Sequence, residues 1–556
     1  MAPELTSRRP RLTPNSETIP KTFDGRWNMR TKFAFLVFFI FASAVLPVMP
    51  FTAAQEETLQ NDVFEIREVR LGGQTTGVHL FSALVSNRTE MSRNFAIDIR
   101  TEGLGLGRPN WQRQLFFPLN AHESRRVEAE YEVASPLLYR ILLRMGEAPE
   151  YDKWARLSEE ERLKTPYPEI KVYWRKEFPA KTPISPEELR DSAFRYSVYL
   201  STTSPERLAE IKQQLPALTK RSRTEEPLRA RLHDLFGLTR PKSGDYDYRD
   251  ETWNGDAARW GAIFESAQVR AQPFSISGAG GNRISAFVAT RKVDATRELP
   301  IIFLLSGNPP GTKESLVGTA IYFAALGFHA VGIDRRETSR TLDTKAKFLT
   351  NFSDPVKDAL RIIDFFGDQK QYSISKIGLF GFSAGAMEGK FIAALDDRIS
   401  AVVLACGTAS HNSFFEDDAW VPTYSGMIIF PELGLGHPEI GKLTREEFFA
   451  NLSKVKPEHN SRAREIFRQV FPYFEDLDPL KVTPLIAPVP LLIVSGAQDS
   501  QFKPSGVVEV DEATQAAYRK FGLPMCSELY LEPRADHTVD STASSLIAAF
   551  YERWLR

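Results

Sequence analysis

Cysteine is scarce in this chain of 556 residues, and neither sign of charge is in clear excess. Its two cysteines exclude a disulfide scaffold and any zinc or iron–sulfur site that needs several thiolates. The 70 Lys and Arg residues nearly balance the 71 Asp and Glu residues, whereas a nucleic-acid-binding protein would show a basic excess or stripe. Metal-ligand motifs, a P-loop, a dinucleotide fingerprint and internal repeats are also missing. The sequence therefore predicts no metal, no cofactor and no nucleic-acid partner.

Long apolar runs are missing too, with one exception near the start, which excludes a membrane protein with several spans. Residues 33–54 are uncharged, follow a basic segment and end in Thr52, Ala53 and Ala54, as is typical of a secretory signal. We predict a signal peptide over residues 1–54, with Met29 as an alternative start, and an exported protein, periplasmic or extracellular. No stable membrane span is then expected after cleavage. The alternative is a membrane anchor at 33–54, because a run of this length can cross a bilayer.

Apolar and polar residues alternate with a period of two over much of residues 55–180. The clearest stretches are 79–86, 95–99, 112–117 and 127–133. Several short strands separated by turn residues predict an antiparallel, β-sandwich-like accessory domain. Because it carries no catalytic motif, this domain is either a packing or spacer module, or a module that binds carbohydrate or another partner.

Strands and helices alternate over residues 262–556, after a predicted helical connector at 181–261 whose charged stretch 220–231 is expected to be solvated. The predicted strands are 267–275, 283–290, 300–305, 329–333, 376–380, 401–406, 490–495 and 527–531. Two adjacent strands followed by six that are separated by helices predict an α/β fold with a mostly parallel eight-stranded sheet. Residues 408–487 are long for one connection and predict a cap over the pocket, in which Trp420 is a candidate substrate contact.

The motif that carries chemistry is Gly381-Phe382-Ser383-Ala384-Gly385, between an apolar strand and a helix. This G-x-S-x-G motif needs such a strand–turn–helix context, because the tight turn lifts the serine hydroxyl above the carboxyl edge of the sheet. The dipole of the following helix also favours an anion at this point. The motif predicts Ser383 as a nucleophile, against the alternative of an ordinary serine in a glycine-rich turn.

A serine nucleophile needs a histidine base and an acid that orients it, and in this architecture the chain order is Ser, acid, His. Asp499 follows one buried strand and His537 follows the next, so both are expected at the same sheet edge as Ser383. They are the predicted acid and base. Asp478 and Glu475 are the alternative acids, while the other histidines precede the region, lie at the wrong edge or fall out of order.

An oxyanion hole needs two backbone N–H donors. One should be Ala384, which directly follows the nucleophile. The other is expected from the loop after the third strand, residues 306–311, whose two prolines have no N–H to donate. Asn308 is the predicted second donor, and Gly307 is the alternative.

These motifs resemble the α/β-hydrolase superfamily and, within it, the dienelactone hydrolase and acetyl xylan esterase-like groups. The resemblance covers residues 262–556, a little over half of the chain, and rests on the serine motif, on residues 496–499 and on Asp536-His537-Thr538. It implies Ser383 as nucleophile, Asp499 as acid, His537 as base and Asn308 as an oxyanion donor. Many relatives have His-Gly at the start of the oxyanion loop, where this chain has Ser306-Gly307.

Arg335 and Arg336 follow the fourth strand of the predicted sheet, at the rim of the pocket. They are predicted either to bind a substrate carboxylate by paired hydrogen bonds or to pair with the acids beside them in the chain. Cys406 ends one strand and Cys526 precedes another, which puts them at opposite sheet edges. We therefore predict two free thiols without a catalytic role.

The sequence predicts a secreted serine hydrolase and, within that class, a carboxylic ester hydrolase acting on an acylated saccharide or another extracellular ester. A peptidase of the prolyl oligopeptidase type is the alternative within the class, although such enzymes usually carry a propeller. The other class is a non-catalytic binding protein in which the β domain is the functional module.

Overall fold

The computed structural model describes residues 59–60, 62–74, 77–104, 111–133, 137–158, 168–179, 200, 203–224, 227–238, 246–253, 257–278, 281–294, 297–307, 312–335, 345–369, 376–416, 454–470, 473–533 and 535–556. The predicted signal peptide with its alternative start and anchor, and the candidate residues Asn308, Arg336 and Trp420, lie outside these residues. Across the part of the chain that is described, no helix is both long and apolar enough to cross a membrane.

Two antiparallel four-stranded sheets make up the N-terminal region. Their strands are β1 (Leu59–Gln60), β2 (Phe64–Leu71), β3 (Gly77–Asn87), β4 (Arg93–Leu104), β5 (Trp111–Leu119), β6 (Ser124–Val133), β7 (Leu137–Glu147) and β8 (Lys171–Pro179). The first sheet has the order β1-β2-β3-β6 and the second β5-β4-β7-β8. Phe81 and Val85 of the first sheet share one core with Ile97 and Leu143 of the second. The two sheets thus face each other across alternating apolar residues, as the sequence predicts.

A nine-stranded sheet organises the C-terminal region. Its strands are β9 (Arg249–Asp250), β10 (Val269–Ser277), β11 (Arg283–Arg291), β12 (Ile301–Leu305), β13 (His329–Ile333), β14 (Ile377–Phe382), β15 (Ile399–Ala405), β16 (Leu491–Gly496) and β17 (Ser527–Glu532). The order is β17-β16-β15-β14-β12-β13-β11-β10-β9, in which β12 to β17 are parallel and the last three strands antiparallel. All eight predicted strands are present. Nothing in the sequence predicts β9, because two polar residues show no periodicity.

The described helices lie mostly between these strands. Their bounds are Tyr151–Ala155, Pro205–Thr224, Pro227–Phe236, Ala257–Ser266, Val317–Ala325, Lys345–Asp368, Ala384–Leu395, His411–Glu416, His459–Val470, Pro479–Val482, Pro504–Lys520 and Ser541–Leu555. Short 3-10 turns occur at Lys292–Asp294, Lys313–Leu316, Thr483–Ile486 and Pro524–Cys526. Three helices, His411–Glu416, His459–Val470 and Pro479–Val482, fall in the predicted cap. That the cap covers the pocket stays a prediction.

The predicted connector belongs to the C-terminal core. Ile211, Leu232 and Phe236, from its two helices, are buried with the residues of the nine-stranded sheet. The expectation that residues 220–231 are solvated is wrong at Arg229, which is buried and donates a hydrogen bond to the carbonyl of Leu485. Arg229, Leu232 and Phe236 share one helix face by their spacing, and that face is turned toward the core.

One helix lies between the two regions. Every residue of Val317–Ala325 except Gly318 is buried. The helix contacts β11 and β13 of the nine-stranded sheet, and it also contacts β4 of the sandwich. A helix that is apolar all round needs cover on opposite sides. The sandwich therefore packs against the C-terminal region through this helix.

Candidate active site

Ser383 stands where β14 ends and the helix Ala384–Leu395 begins. Its backbone has φ 53° and ψ −118°, a conformation that a residue with a Cβ rarely adopts. The surrounding backbone fixes it, because the Ser383 N–H donates to the carbonyl of Ala405 at 2.8 Å and the Ser383 carbonyl accepts from Ala386 at 2.9 Å. Such a strained strand-to-helix turn presents a nucleophilic serine at the top of a parallel sheet.

Two glycines make this turn possible, because backbone occupies the space where their side chains would stand. A Cβ on Gly381 would overlap the carbonyl of Gly385, and a Cβ on Gly385 would overlap the carbonyl of Leu305 at the end of β12. The spacing of the G-x-S-x-G motif thus follows from the close contact between the turn and the neighbouring strand.

A chain of hydrogen bonds joins the three predicted triad residues. The Ser383 hydroxyl lies 2.9 Å from His537 Nε2, and His537 Nδ1 lies 2.9 Å from Asp499 Oδ2. With a proton on Nδ1, His537 donates to Asp499 and its Nε2 can accept the serine proton. The rings of Phe382 and Phe502 flank the imidazole, with centroids 5.3 and 5.7 Å away. The structure therefore brings together all three residues in the arrangement that nucleophilic catalysis requires.

The loop after β16 fixes the carboxylate of Asp499. Its side chain is fully buried, and Oδ1 accepts the backbone N–H groups of Gln501 at 2.8 Å and Phe502 at 2.9 Å. Asp536, next to the histidine, points elsewhere: its carboxylate accepts the Ser500 N–H at 3.0 Å. This bond ties the loop of the acid to the loop of the base.

Counted from β10, the sheet order is 1-2-4-3-5-6-7-8, with β9 as an added edge strand. The serine turn follows the fifth strand, Asp499 the seventh and His537 the eighth. The C-terminal region has the α/β-hydrolase fold. The mostly parallel eight-stranded sheet predicted from the sequence is confirmed.

No protein-family model and no curated protein matches the chain. Among solved structures it is similar to an acetyl xylan esterase from Paenibacillus sp. R4, at 16% identity over 66% of this chain and 99% of that one, with a TM-score of 0.36. A glucuronoyl esterase from Solibacter usitatus is 11% identical over 58% of this chain and 91% of its own, with a TM-score of 0.40. An acylaminoacyl peptidase is 15% identical over 53% of this chain and 43% of its own, with a TM-score of 0.36. Likenesses this distant carry no argument about activity or substrate.

Two backbone segments in which the sequence predicts oxyanion donors lie close to Ser383. Ala384 is the first residue of its helix, where the N–H groups have no partner within the helix. Gly307 also lies close to the nucleophile, since a Cβ built on it would be 2.9 Å from the Ser383 Cβ. Asn308, the predicted second donor, lies outside the described residues, so Gly307 is the described member of that loop beside the serine.

Arg335 is engaged by a carboxylate that the sequence does not single out. Its Nε donates to Glu388 Oε1 at 2.5 Å, and both side chains are largely buried. Glu388 lies in the helix that follows Ser383, whereas the predicted protein partners were the acids beside Arg335 in the chain. Asp334, one of those acids, accepts the backbone N–H of Lys313 instead. A pair of residues this far apart in the chain leaves no signal in a single sequence.

Cys406 lies behind the triad, and its thiol, Asp499 and His537 offer ligand atoms within 4.8 Å of one another. The acid and the imidazole are hydrogen-bonded to each other, so this group is not arranged around a metal. Burial raises the pKa of the Cys406 thiol to about 12, and the thiol donates to the carbonyl of Thr538 at 3.4 Å. A neutral buried thiol is a poor nucleophile. Cys406 and Cys526 are both free, as predicted.

The alternative acids have other partners. Asp478 caps the helix Pro479–Val482 by accepting the Leu480 N–H at 2.9 Å. Glu475 accepts a hydrogen bond from Arg468 at 2.7 Å. Of the acids considered from the sequence, Asp499 alone contacts His537 among the described residues.

Proposed function

We propose that this chain is an exported serine hydrolase that cleaves carboxylic esters, with Ser383 as nucleophile, His537 as base and Asp499 as orienting acid. One observation carries the proposal: the two 2.9 Å hydrogen bonds that run from the Ser383 hydroxyl through His537 to Asp499, on a strained serine turn. A serine in an ordinary glycine-rich turn would have no reason to be strained and aligned with a histidine that a buried carboxylate orients.

In the acylation step, Ser383 Oγ attacks the acyl carbon of the ester while its proton passes to His537 Nε2. The tetrahedral oxyanion is stabilised by the Ala384 N–H and by a donor of the loop that includes Gly307. The imidazolium, oriented by Asp499, then gives its proton to the leaving alkoxide oxygen, and the alcohol departs from an acyl-enzyme.

In the deacylation step, water takes the place of the alcohol. His537 accepts a proton from the water, whose oxygen attacks the acyl carbon of the Ser383 ester. The second tetrahedral intermediate uses the same donors, and collapse returns the proton to Ser383 Oγ. The products are a carboxylic acid and an alcohol, and the enzyme is regenerated without a cofactor.

The proposed substrate class is an acylated saccharide or another extracellular ester. Two features support this class: the export signal predicted for residues 1–54, which would bring the chain to substrates outside the cytoplasm, and the pairing of the hydrolase fold with a β sandwich. A prolyl oligopeptidase-type peptidase remains the alternative within the serine hydrolases, although the described residues before the hydrolase fold form a two-sheet sandwich rather than a propeller.

A fluorophosphonate probe tests the nucleophile. Wild-type protein should label with one probe per chain and Ser383→Ala should not label, because only an activated serine reacts. Ser92→Ala, which removes an exposed serine of the sandwich, is the matched control and should label as the wild type does. An unlabelled wild type, or equal labelling of Ser383→Ala, would rule out the serine hydrolase proposal and leave the binding-protein alternative.

A substrate panel then separates the alternatives within the class. Aryl acetates, longer acyl esters, acetylated xylan and proline-containing peptides should be assayed with wild type and Ser383→Ala. We expect Ser383-dependent release of acyl groups from the esters. Cleavage of the peptides alone would replace the esterase proposal with the peptidase one.

A further inference from the structure

A buried lysine, Lys313, lies a few residues beyond the predicted oxyanion loop. Lys313 begins the 3-10 turn Lys313–Leu316, between β12 and the helix Val317–Ala325. Its side chain is only 2% exposed. A lysine so deeply buried is costly unless its ammonium group is paired and hydrogen-bonded. Lys313 therefore holds its place through specific partners.

Those partners come from three different elements. The Lys313 ammonium donates to Glu251 Oε2 at 2.9 Å and to the Ser285 hydroxyl at 2.6 Å, and it lies 3.8 Å from Asp334 Oδ2. The Lys313 backbone N–H also donates to Asp334. Glu251 follows β9, Ser285 lies in β11 and Asp334 follows β13. Lys313 is thus held by hydrogen bonds from two of its groups, the backbone N–H and the side-chain ammonium.

The pKa values of the two carboxylates around Lys313 are shifted in opposite directions, although Lys313 acts to lower both. Burial works to raise the pKa of Glu251, but hydrogen bonds from Ser285 and Lys313 hold that pKa below its usual value. Burial raises the pKa of Asp334, and the Lys313 backbone N–H and charge oppose that rise. Glu251 is therefore the ionised partner of the ammonium group, and removing the lysine would leave a partly buried carboxylate without that counter-charge.

The segment that ends at Lys313 begins at Ser306 and Gly307, which lie close to Ser383. Ser306 is buried, and Gly307 lies so close that a Cβ on it would be 2.9 Å from the Ser383 Cβ and 3.1 Å from the ring of Phe382. Only five residues, 308–312, separate Gly307 from Lys313 in the chain. The contacts of Lys313 therefore fix the chain a short distance beyond the backbone that lies beside Ser383.

We propose that Lys313 is a positioning residue that sets the Gly307 backbone against Ser383, through its contacts with Glu251, Ser285 and Asp334. The proposal rests on the proposed serine hydrolase function. Buried ion pairs contribute little net stability and are better suited to fixing one geometry. An oxyanion donor needs such fixing, because it must lie within hydrogen-bond distance of the oxygen in the transition state rather than in the ground state.

The test replaces Lys313 with Met, which keeps the length of the side chain and removes the charge. On an aryl acetate, Lys313→Met should lower kcat by about 10- to 100-fold, the range expected for a displaced donor, with KM changed by less than about threefold. The rate constant of fluorophosphonate labelling should fall in parallel while the final stoichiometry stays at one per chain. Lys313→Arg, which keeps the charge, should recover most of the rate.

The control is Lys292→Met, because Lys292 pairs with Glu265 at an exposed site. It should leave kcat unchanged. If Lys313→Met does not fold, the double variant Lys313→Met/Glu251→Gln removes the unpaired charge and should combine full labelling stoichiometry with the same slow labelling rate. An unchanged kcat would overturn the role of Lys313. So would a fall in kcat that only matches the fall in the fraction of chains that label, if those chains label at the wild-type rate. Absence of labelling in the wild type would instead overturn the serine hydrolase function itself.

Discussion

Asp499 has two carboxylate oxygens with different tasks. Oδ2 accepts the proton of His537 Nδ1, while Oδ1 accepts two backbone N–H groups of its own loop. Because both oxygens are occupied and the side chain is buried, the carboxylate has one orientation. That orientation selects the histidine tautomer whose Nε2 is free to accept the proton of Ser383.

Asp499→Asn should separate these two tasks. The amide oxygen can still accept the loop N–H groups, so the fold should be kept. The amide NH₂ would then face His537 Nδ1, which must become an acceptor, and Nε2 would carry the proton and no longer take one from Ser383. We expect kcat on an aryl acetate to fall by about 10³- to 10⁴-fold.

Steady-state kinetics and thermal unfolding of the same preparation check this expectation. Asp536→Asn is the matched control, since Asp536 is the neighbouring acid that bonds Ser500 rather than the imidazole. It should reduce kcat far less than Asp499→Asn does. Equal losses of kcat in the two variants would mean that the carboxylates act by holding the conformation of the loop, and not by selecting the histidine tautomer.

At the scale of elements, a buried ion pair ties the end of β13 to the helix that follows the nucleophile. Arg335 lies two residues beyond β13, and Glu388 lies in the helix Ala384–Leu395. Burial, with a smaller contribution from the charge of Asp358, raises the pKa of Glu388 to about 7. Arg335 acts in the opposite direction and limits this rise. A carboxyl group within the helix that follows the nucleophile thus changes charge near neutral pH.

This shift has a definite effect on stability. In the unfolded chain Glu388 would lose its proton near the ordinary glutamate pKa of 4.5, whereas the folded protein keeps the proton to about pH 7. Between these pH values the folded state binds more protons than the unfolded state, so this residue makes the free energy of unfolding fall as the pH rises. The fall should reach on the order of 3 kcal/mol above pH 7, because one pKa unit corresponds to about 1.4 kcal/mol.

Glu388→Gln should remove that part of the pH dependence. Denaturant unfolding from pH 4.5 to 7.5 should give a shallower decline in the variant than in the wild type. Glu265→Gln, which removes an exposed glutamate, is the control and should retain the wild-type slope. Parallel curves for Glu388→Gln and the wild type would show that Glu388 titrates at its ordinary pKa in the folded protein.

The sequence predicts the elements of this region better than it predicts the contacts between them. The central strands β12 to β16 are short, mostly apolar runs, and the serine motif specifies its own turn, so both can be recognised locally. The order Ser, acid, His then selects Asp499 and His537. The partners of Arg335 and Lys313 are different, because Glu388 and Glu251 lie more than fifty positions away and nothing local marks them.

At the scale of the whole molecule, the helix Val317–Ala325 joins the two regions. It is buried on all sides, with β11 and β13 on one side and β4 of the sandwich also in contact. The same helix follows the turn that begins at Lys313. The sandwich therefore covers the helix that follows the turn at Lys313, which is the arrangement expected of a packing module. The carbohydrate- or partner-binding role stays a prediction.

If the sandwich and the hydrolase fold share this helix, damage to the sandwich core should reach the active site. Phe81 is fully buried between the two sheets of the sandwich, and Phe81→Ala should cost about 3–5 kcal/mol. Spread over one cooperative unit of about 500 residues, this loss lowers the midpoint of unfolding by roughly 3–5 °C.

We expect calorimetry to show one transition, and the temperature at which fluorophosphonate labelling is lost to fall by the same amount. Val78→Ala, on the same strand but 66% exposed, should change neither. A separate early transition of the sandwich, with labelling lost at the wild-type temperature, would show that the sandwich is an independent module, because a domain that supports nothing can melt without consequence for the nucleophile.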